Sequence, residues 1–78
     1  MGDKSQTGGV GDFSDLEYDL LTTLGNLLQG SAVLTEYAED AEEAGDLEAA
    51  EIFRVIQANN LDSARRVRSA LARVLNAK

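Results

Sequence analysis

The sequence predicts an all-α protein, a long antiparallel two-helix hairpin with helices over about residues 14–44 and 46–76. On both sides of Ala44-Gly45-Asp46, apolar or small residues recur at alternating spacings of three and four, which is typical of a buried helix face. Gly45 suits the left-handed residue that ends a helix, and Asp46 suits the N-cap of the next. The chain contains no proline, which favours long unbroken helices. We therefore predict two neighbouring helices joined by a very short turn.

The first 12 residues contain four of the seven glycines and, apart from Met1, one sizeable apolar residue, Val10. This composition predicts a disordered leader, so residues 13–78 form the single helical domain. Such a small domain has a marginal core, and the absence of cysteine excludes disulfide staples. Oligomerisation is the remaining route to a sufficient core.

The first helix has a clear start signal. Ser14 and Glu17 have the spacing of a capping box, and Phe13 and Tyr18 that of a hydrophobic staple. The predicted inward seam of this helix is Leu20, Leu24, Leu27, Ser31, Leu34, Ala38 and Ala41. Because Gly30-Ser31 can also break a helix, a monomeric three-helix bundle broken at Gly30 is the structural alternative.

The second helix carries its seam at Ala50, Phe53, Gln57, Asn60, Ala64, Val67, Leu71 and Val74. Gln57 and Asn60 therefore face inward near the middle of the hairpin. We interpret them as a buried polar layer that fixes register and pairing, as a buried Asn does in coiled coils; a hydrogen-bonding pocket is the alternative.

A further stripe runs beside each seam. In the first helix it contains Leu21, Gly25, Leu28 and Ala32, and in the second Ala49, Ile52, Ile56, Ser63 and Ala70. Two adjacent stripes are too wide for one helix–helix contact. Pairing of two hairpins into a four-helix bundle would cover them, so we predict a homodimer.

Composition limits the classes of function. The net charge is −7, which argues against nucleic-acid binding. No apolar run is long enough to span a membrane and no hydrophobic signal region is present, so we expect a cytoplasmic protein. Without His or Cys the chain lacks the usual general base and common metal ligands. Ser63 has no activating partner in sequence. We therefore expect no enzymatic activity and no cofactor.

The pattern Tyr37, Ala38, Ala41, Gly45, Ala50, Phe53 and Ala64 resembles the first helical hairpin of ferritin-like proteins, rubrerythrin in particular. The encapsulated ferritins are similar in a further way, because each chain supplies one hairpin and a dimer completes the bundle. The resemblance covers roughly residues 20–75 and implies a ferritin-like four-helix bundle.

The resemblance also implies a Glu in the first helix and Glu-x-x-His in the second as iron ligands. Aligned on Gly45, these positions hold Leu27, Asn60 and Ser63, none of which can replace a di-iron ligand set. We therefore predict a metal-free protein that acts through homo-oligomerisation or an unidentified protein partner. The alternative is a remote metal-binding relative that uses Glu36, Glu39 and Glu43, whose carboxylates share one helix face. A solvated acidic face is the simpler interpretation of those residues.

Overall fold

The computed structural model of the protein describes residues 14–77, and within this range it contains two helices and no strand. Helix α1 is Asp15–Glu43 and helix α2 is Leu47–Asn76, of 29 and 30 residues. The predicted antiparallel hairpin is confirmed, and the helix limits agree with the predicted ones to within one residue. The predicted leader over residues 1–12 and the Phe13 half of the predicted staple lie outside the described residues.

Helix α1 begins with the predicted capping box. The Glu17 amide donates to Ser14 Oγ at 3.2 Å, and the Ser14 amide donates to Glu17 Oε1 at 3.0 Å. These two bonds satisfy backbone donors that a helix start leaves without an intrahelical acceptor. The Glu17 side chain is fully buried, which the capping pattern alone does not predict.

The turn is a Schellman motif followed directly by an N-cap. Gly45 has φ +81°, the Gly45 amide donates to the Glu42 carbonyl, and the Asp46 amide donates to the Ala41 carbonyl. These are the two bonds that satisfy the last carbonyls of a helix in this motif. Asp46 Oδ1 then accepts from the Ala49 amide at 2.9 Å and starts α2. Both roles predicted for this turn are confirmed.

Helix α1 continues through Gly30, so the three-helix alternative is wrong. Ser31 does not cap a new helix. Its hydroxyl donates to the Leu27 carbonyl of the preceding turn at 2.9 Å, the local bond that a serine inside a helix can make. Gly30 faces Asn60, whose Nδ2 lies 3.8 Å from the position that a Cβ at Gly30 would take. The small residues thus permit close approach of α2 without interrupting α1.

The core lies along the contact between the two helices. The only hydrophobic side chains that are fully buried among residues 14–77 are four alanines, Ala38, Ala41, Ala50 and Ala64. Alanine lets helix axes approach closely because interaxial distance depends on the side chains at the contact. Neither helix is apolar over a length that would cross a bilayer.

Candidate functional site

A polar layer joins the two helices near their middle. Gln57 Nε2 donates to the Ser31 carbonyl at 2.6 Å and to Thr35 Oγ1 at 2.5 Å. Thr35 Oγ1 in turn lies 3.5 Å from the Ser31 carbonyl, to which it donates. One amide of α2 thereby binds two groups one turn apart on α1. These bonds join the two helices at one axial position within a single chain.

Asn60 belongs to the same inward face but contacts a different part of α1. It is half-buried and lies against Gly30, as described above. Leu27 is also half-buried, whereas Ser63 is exposed in the hairpin. Of the three positions that the ferritin-like resemblance equates with metal ligands, two are therefore half-buried and one is exposed in the hairpin.

All predicted seam positions lie on the covered side of their helix, but their large side chains are only partly covered. The half-buried members are Leu20, Leu24, Leu27, Leu34, Phe53, Gln57, Asn60, Val67, Leu71 and Val74. Near the turn, Phe53 contacts Tyr37 with ring centroids 5.7 Å apart and an interplanar angle of 59°. This tilted geometry is a favourable one for aromatic pairs. Burial in a single hairpin is therefore incomplete for the large side chains of the seam.

An open groove with an apolar floor crosses both helices on one side of the hairpin. Its walls come from Leu24 and Leu28 of α1 and from Leu61, Ala64, Arg65 and Arg68 of α2. Leu28 remains 48% exposed, and Leu21, two turns earlier on the same stripe, remains 43% exposed. We call Leu21, Leu24, Leu28 and Leu61 the leucine face. The groove contains two arginines and no carboxylate.

A second apolar patch lies on α2 near the turn. It consists of Ile52, Val55 and Ile56 and is bordered by Glu48 and Glu51. Ile52 is 51% exposed. We call these three apolar residues the isoleucine patch. The border of this patch is therefore negatively charged, whereas the groove of the leucine face is lined by positively charged arginines.

The leucine face and the isoleucine patch lie on opposite sides of α2. Ile52 and Leu61 are nine residues apart, which is two and a half turns at 3.6 residues per turn. Ile56 and Arg65 have the same separation. The second stripes predicted for α1 and α2 are therefore both exposed for most of their length, but they flank different sides of the seam. They do not form one continuous surface.

The turn end of the hairpin is acidic. Glu36, Glu39 and Glu43 are all exposed on α1, and within residues 14–77 no group of three acidic side chains is arranged to hold a metal ion. Glu42 pairs with Arg54 across the turn. Both partners of this pair are about half exposed, so its contribution to stability is small.

Sequence reasoning missed two parts of this site. Thr35 was not identified as a partner of Gln57, because a hydroxyl on the edge of a seam has no distinctive spacing. The stripe of α2 that contains Leu61, Arg65 and Arg68 was also missed, because arginines interrupt its apolar residues. The signal was present as the alternating spacing of Arg54, Ala58, Leu61, Arg65, Arg68, Ala72 and Leu75.

Comparisons with known proteins identify no relative. The chain matches no protein-family model, and neither a curated protein nor a solved structure is significantly similar to it.

Proposed function

We propose that this protein is a non-enzymatic assembly module, a ferritin-like hairpin that pairs with a second copy of itself to form a four-helix bundle. The observation that carries the proposal is the contrast between its core and its surface. Among residues 14–77 the buried hydrophobic residues are alanines, whereas Leu21, Leu28, Ile52, Val55 and Ile56 are each more than 40% exposed.

Alanine burial alone contributes little to stability. Hydrophobic stabilisation scales with the apolar area removed from water, at about 25 cal/mol per Å². A side chain with a single methyl group contributes much less of this area than a leucine. Exposed large apolar residues that are contiguous mark interaction surfaces in soluble proteins. The hairpin therefore gains most from an assembly that covers the partly exposed leucines of its seam and stripe.

The leucine face is the surface that best fits a second hairpin. It runs along both helices, so a partner laid on it makes contacts with α1 and α2 together. Four-helix bundles are formed in this way, with each helix packed against two neighbours. The isoleucine patch involves one helix and lies near one end, so it offers less surface.

The ferritin-like part of the proposal rests on the hairpin architecture and the short Gly45 turn together with the sequence resemblance. The positions equated with metal ligands hold Leu27, Asn60 and Ser63. We propose that in this chain the bundle is retained for assembly without the di-metal chemistry.

The first test is the molar mass in solution, measured by light scattering on a size-exclusion column, for the full chain and two variants. We expect the wild-type chain to have a molar mass of about twice 8.3 kDa. Leu28→Gln preserves helix propensity but removes apolar burial from both copies of a symmetric interface. Burial of about half of a leucine side chain contributes about 1 kcal/mol. Because the loss occurs in both copies, the dimer dissociation constant should rise about 10- to 100-fold.

The matched control is Ile52→Gln, which changes an equally exposed apolar residue on the opposite side of α2. We expect the dimer affinity of this variant to remain within about threefold of wild type. A wild-type monomer at the highest accessible concentration would contradict the proposed function. Dissociation by Ile52→Gln but not by Leu28→Gln would show that the wrong surface had been chosen.

The metal-binding alternative makes a separate prediction. After incubation with iron or zinc and desalting, we expect no stoichiometric metal to be retained. Stoichiometric retention that is lost when Glu36, Glu39 and Glu43 are changed to Gln would contradict the non-metal assignment, provided that circular dichroism shows unchanged helix content.

A further inference from the structure

We infer that the leucine face binds a second copy of this chain in antiparallel orientation, so that Arg65 and Arg68 of each copy lie against the acidic turn end of the other. This inference rests on the proposed homodimer and adds its orientation and its charged contacts. It is carried by the distribution of charge along the face.

On α1 the stripe of the leucine face changes character along its length. After Leu21, Gly25, Leu28 and Ala32, the same alternating spacing continues through Thr35 to Glu39 and Glu42. Thr35 bonds to Gln57 and Glu42 pairs with Arg54 of the same chain. Glu39 is exposed and has no ion pair among residues 14–77. The turn end of the face thus presents a carboxylate that is available to a partner.

On α2, the charge beside the leucine face is positive and lies toward the open end of the hairpin. Arg65 and Arg68 line the groove beside Leu61 and Leu28, and neither forms an ion pair within the described residues. A groove with an apolar floor and two guanidinium groups fits a helix that presents apolar residues next to carboxylates. Toward the turn, the α1 stripe of this chain presents Ala32 followed by Glu39 and by Glu42, which is paired with Arg54.

The axial positions agree with this pairing. Arg68 lies about two turns from the end of α2, and Glu39 lies about two turns from Gly45. In a fully overlapped antiparallel pair, Arg68 of each copy therefore reaches the level of Glu39 of the other. Leu28 and Leu61 lie near the middle, where they pack across the two-fold axis against small residues such as Ala32 and Ala58.

A parallel pair has the opposite electrostatics. A two-fold axis along the helices would keep Arg65 and Arg68 of both copies at one end of the pair and the Glu39 side chains of both copies at the other end. Like charges gathered at the same end of an interface disfavour that arrangement. The charge pattern of the face therefore selects the antiparallel dimer.

Orientation is measured with spin labels, because the chain has no cysteine and a single introduced thiol is labelled without ambiguity. Ala44 is exposed at the turn and Asn76 at the open end. In Ala44→Cys and Asn76→Cys homodimers we expect distances of about 40 Å or more between labels, close to the length of a 30-residue helix. When the two labelled variants are mixed, heterodimers should form in which the label at position 44 of one copy lies beside the label at position 76 of the other. These heterodimers should add a population of label–label distances below about 25 Å.

The charged contacts are tested through the dimer dissociation constant of Arg68→Gln. Losing two symmetry-related contacts at the border of the interface should raise the constant about two- to tenfold, and the effect should shrink in high salt. The matched control is Arg66→Gln, an exposed arginine on the other side of α2, for which we expect no change. In a parallel dimer, Arg68→Gln would instead relieve repulsion and strengthen pairing.

The outcomes separate the two levels of the proposal. A dimer with short label distances in both homodimers would overturn the antiparallel inference and leave the proposed homodimer standing. A monomeric wild-type chain would overturn both. The molar mass could also be well above that of two copies and fall in both Leu28→Gln and Ile52→Gln. This result would mean head-to-tail contacts between the leucine face and the isoleucine patch, and would overturn the symmetric arrangement.

Discussion

At the scale of single residues, Gly45 has the most constrained role in the fold. Its φ of +81° lies in the left-handed region, where a residue with a Cβ is strained by roughly 1–2 kcal/mol. We expect Gly45→Ala to lower the free energy of unfolding by about 1 kcal/mol, measured by urea denaturation at fixed protein concentration.

The matched control for this prediction is Gly30→Ala. Gly30 lies in a regular helix, and an added Cβ would meet Asn60 Nδ2 at an ordinary contact distance of 3.8 Å. We expect this variant to be as stable as wild type or more stable by up to about 1 kcal/mol. If Gly30→Ala destabilised the protein as much as Gly45→Ala, the explanation based on positive φ would be wrong.

Residue-scale signals also set how much of the local structure can be predicted. The capping box at Ser14 and the Gly45-Asp46 turn were predictable because each depends on side chains within a few residues in sequence. The contact of Gln57 with Thr35 was not, because it depends on the rotation and axial shift of one helix relative to the other. The sequence periodicity gives the face of each helix but not this shift.

At the scale of the helices, the polar layer joins α1 and α2 at one axial position, and we expect it to contribute to their register. Gln57 binds the Ser31 carbonyl and Thr35 Oγ1, and a net hydrogen bond is worth about 1 kcal/mol. We expect Gln57→Ala to lower the free energy of unfolding by about 1–2 kcal/mol. Gln29→Ala changes an exposed glutamine of α1 and should shift stability by less than about 0.5 kcal/mol. Equal effects of the two variants would remove the structural role assigned to Gln57.

The faces of the two helices could be predicted from the sequence, but the relative position of their exposed stripes could not. The seams of α1 and α2 follow from the alternating spacing, and every seam position is at least partly covered. The second stripes were predictable as apolar, but their arrangement was not. Whether Leu28 and Ile52 share one surface depends on which side of the helix contact each stripe flanks, and that choice is made by packing.

At the scale of the whole molecule, the small core of one hairpin links stability to concentration. If folding is completed by dimerisation, the folded state is favoured by mass action and the melting temperature rises with protein concentration. We expect a clear rise over a hundredfold concentration range, measured by circular dichroism on the full chain. In Leu28→Gln the rise should begin only at higher concentration, because the leucine face binds its partner more weakly, whereas Ile52→Gln should follow the wild-type curve. A wild-type melting temperature independent of concentration would mean that the alanine core and the polar layer suffice to hold the hairpin alone, and the assembly role of the leucine face would then have no thermodynamic support.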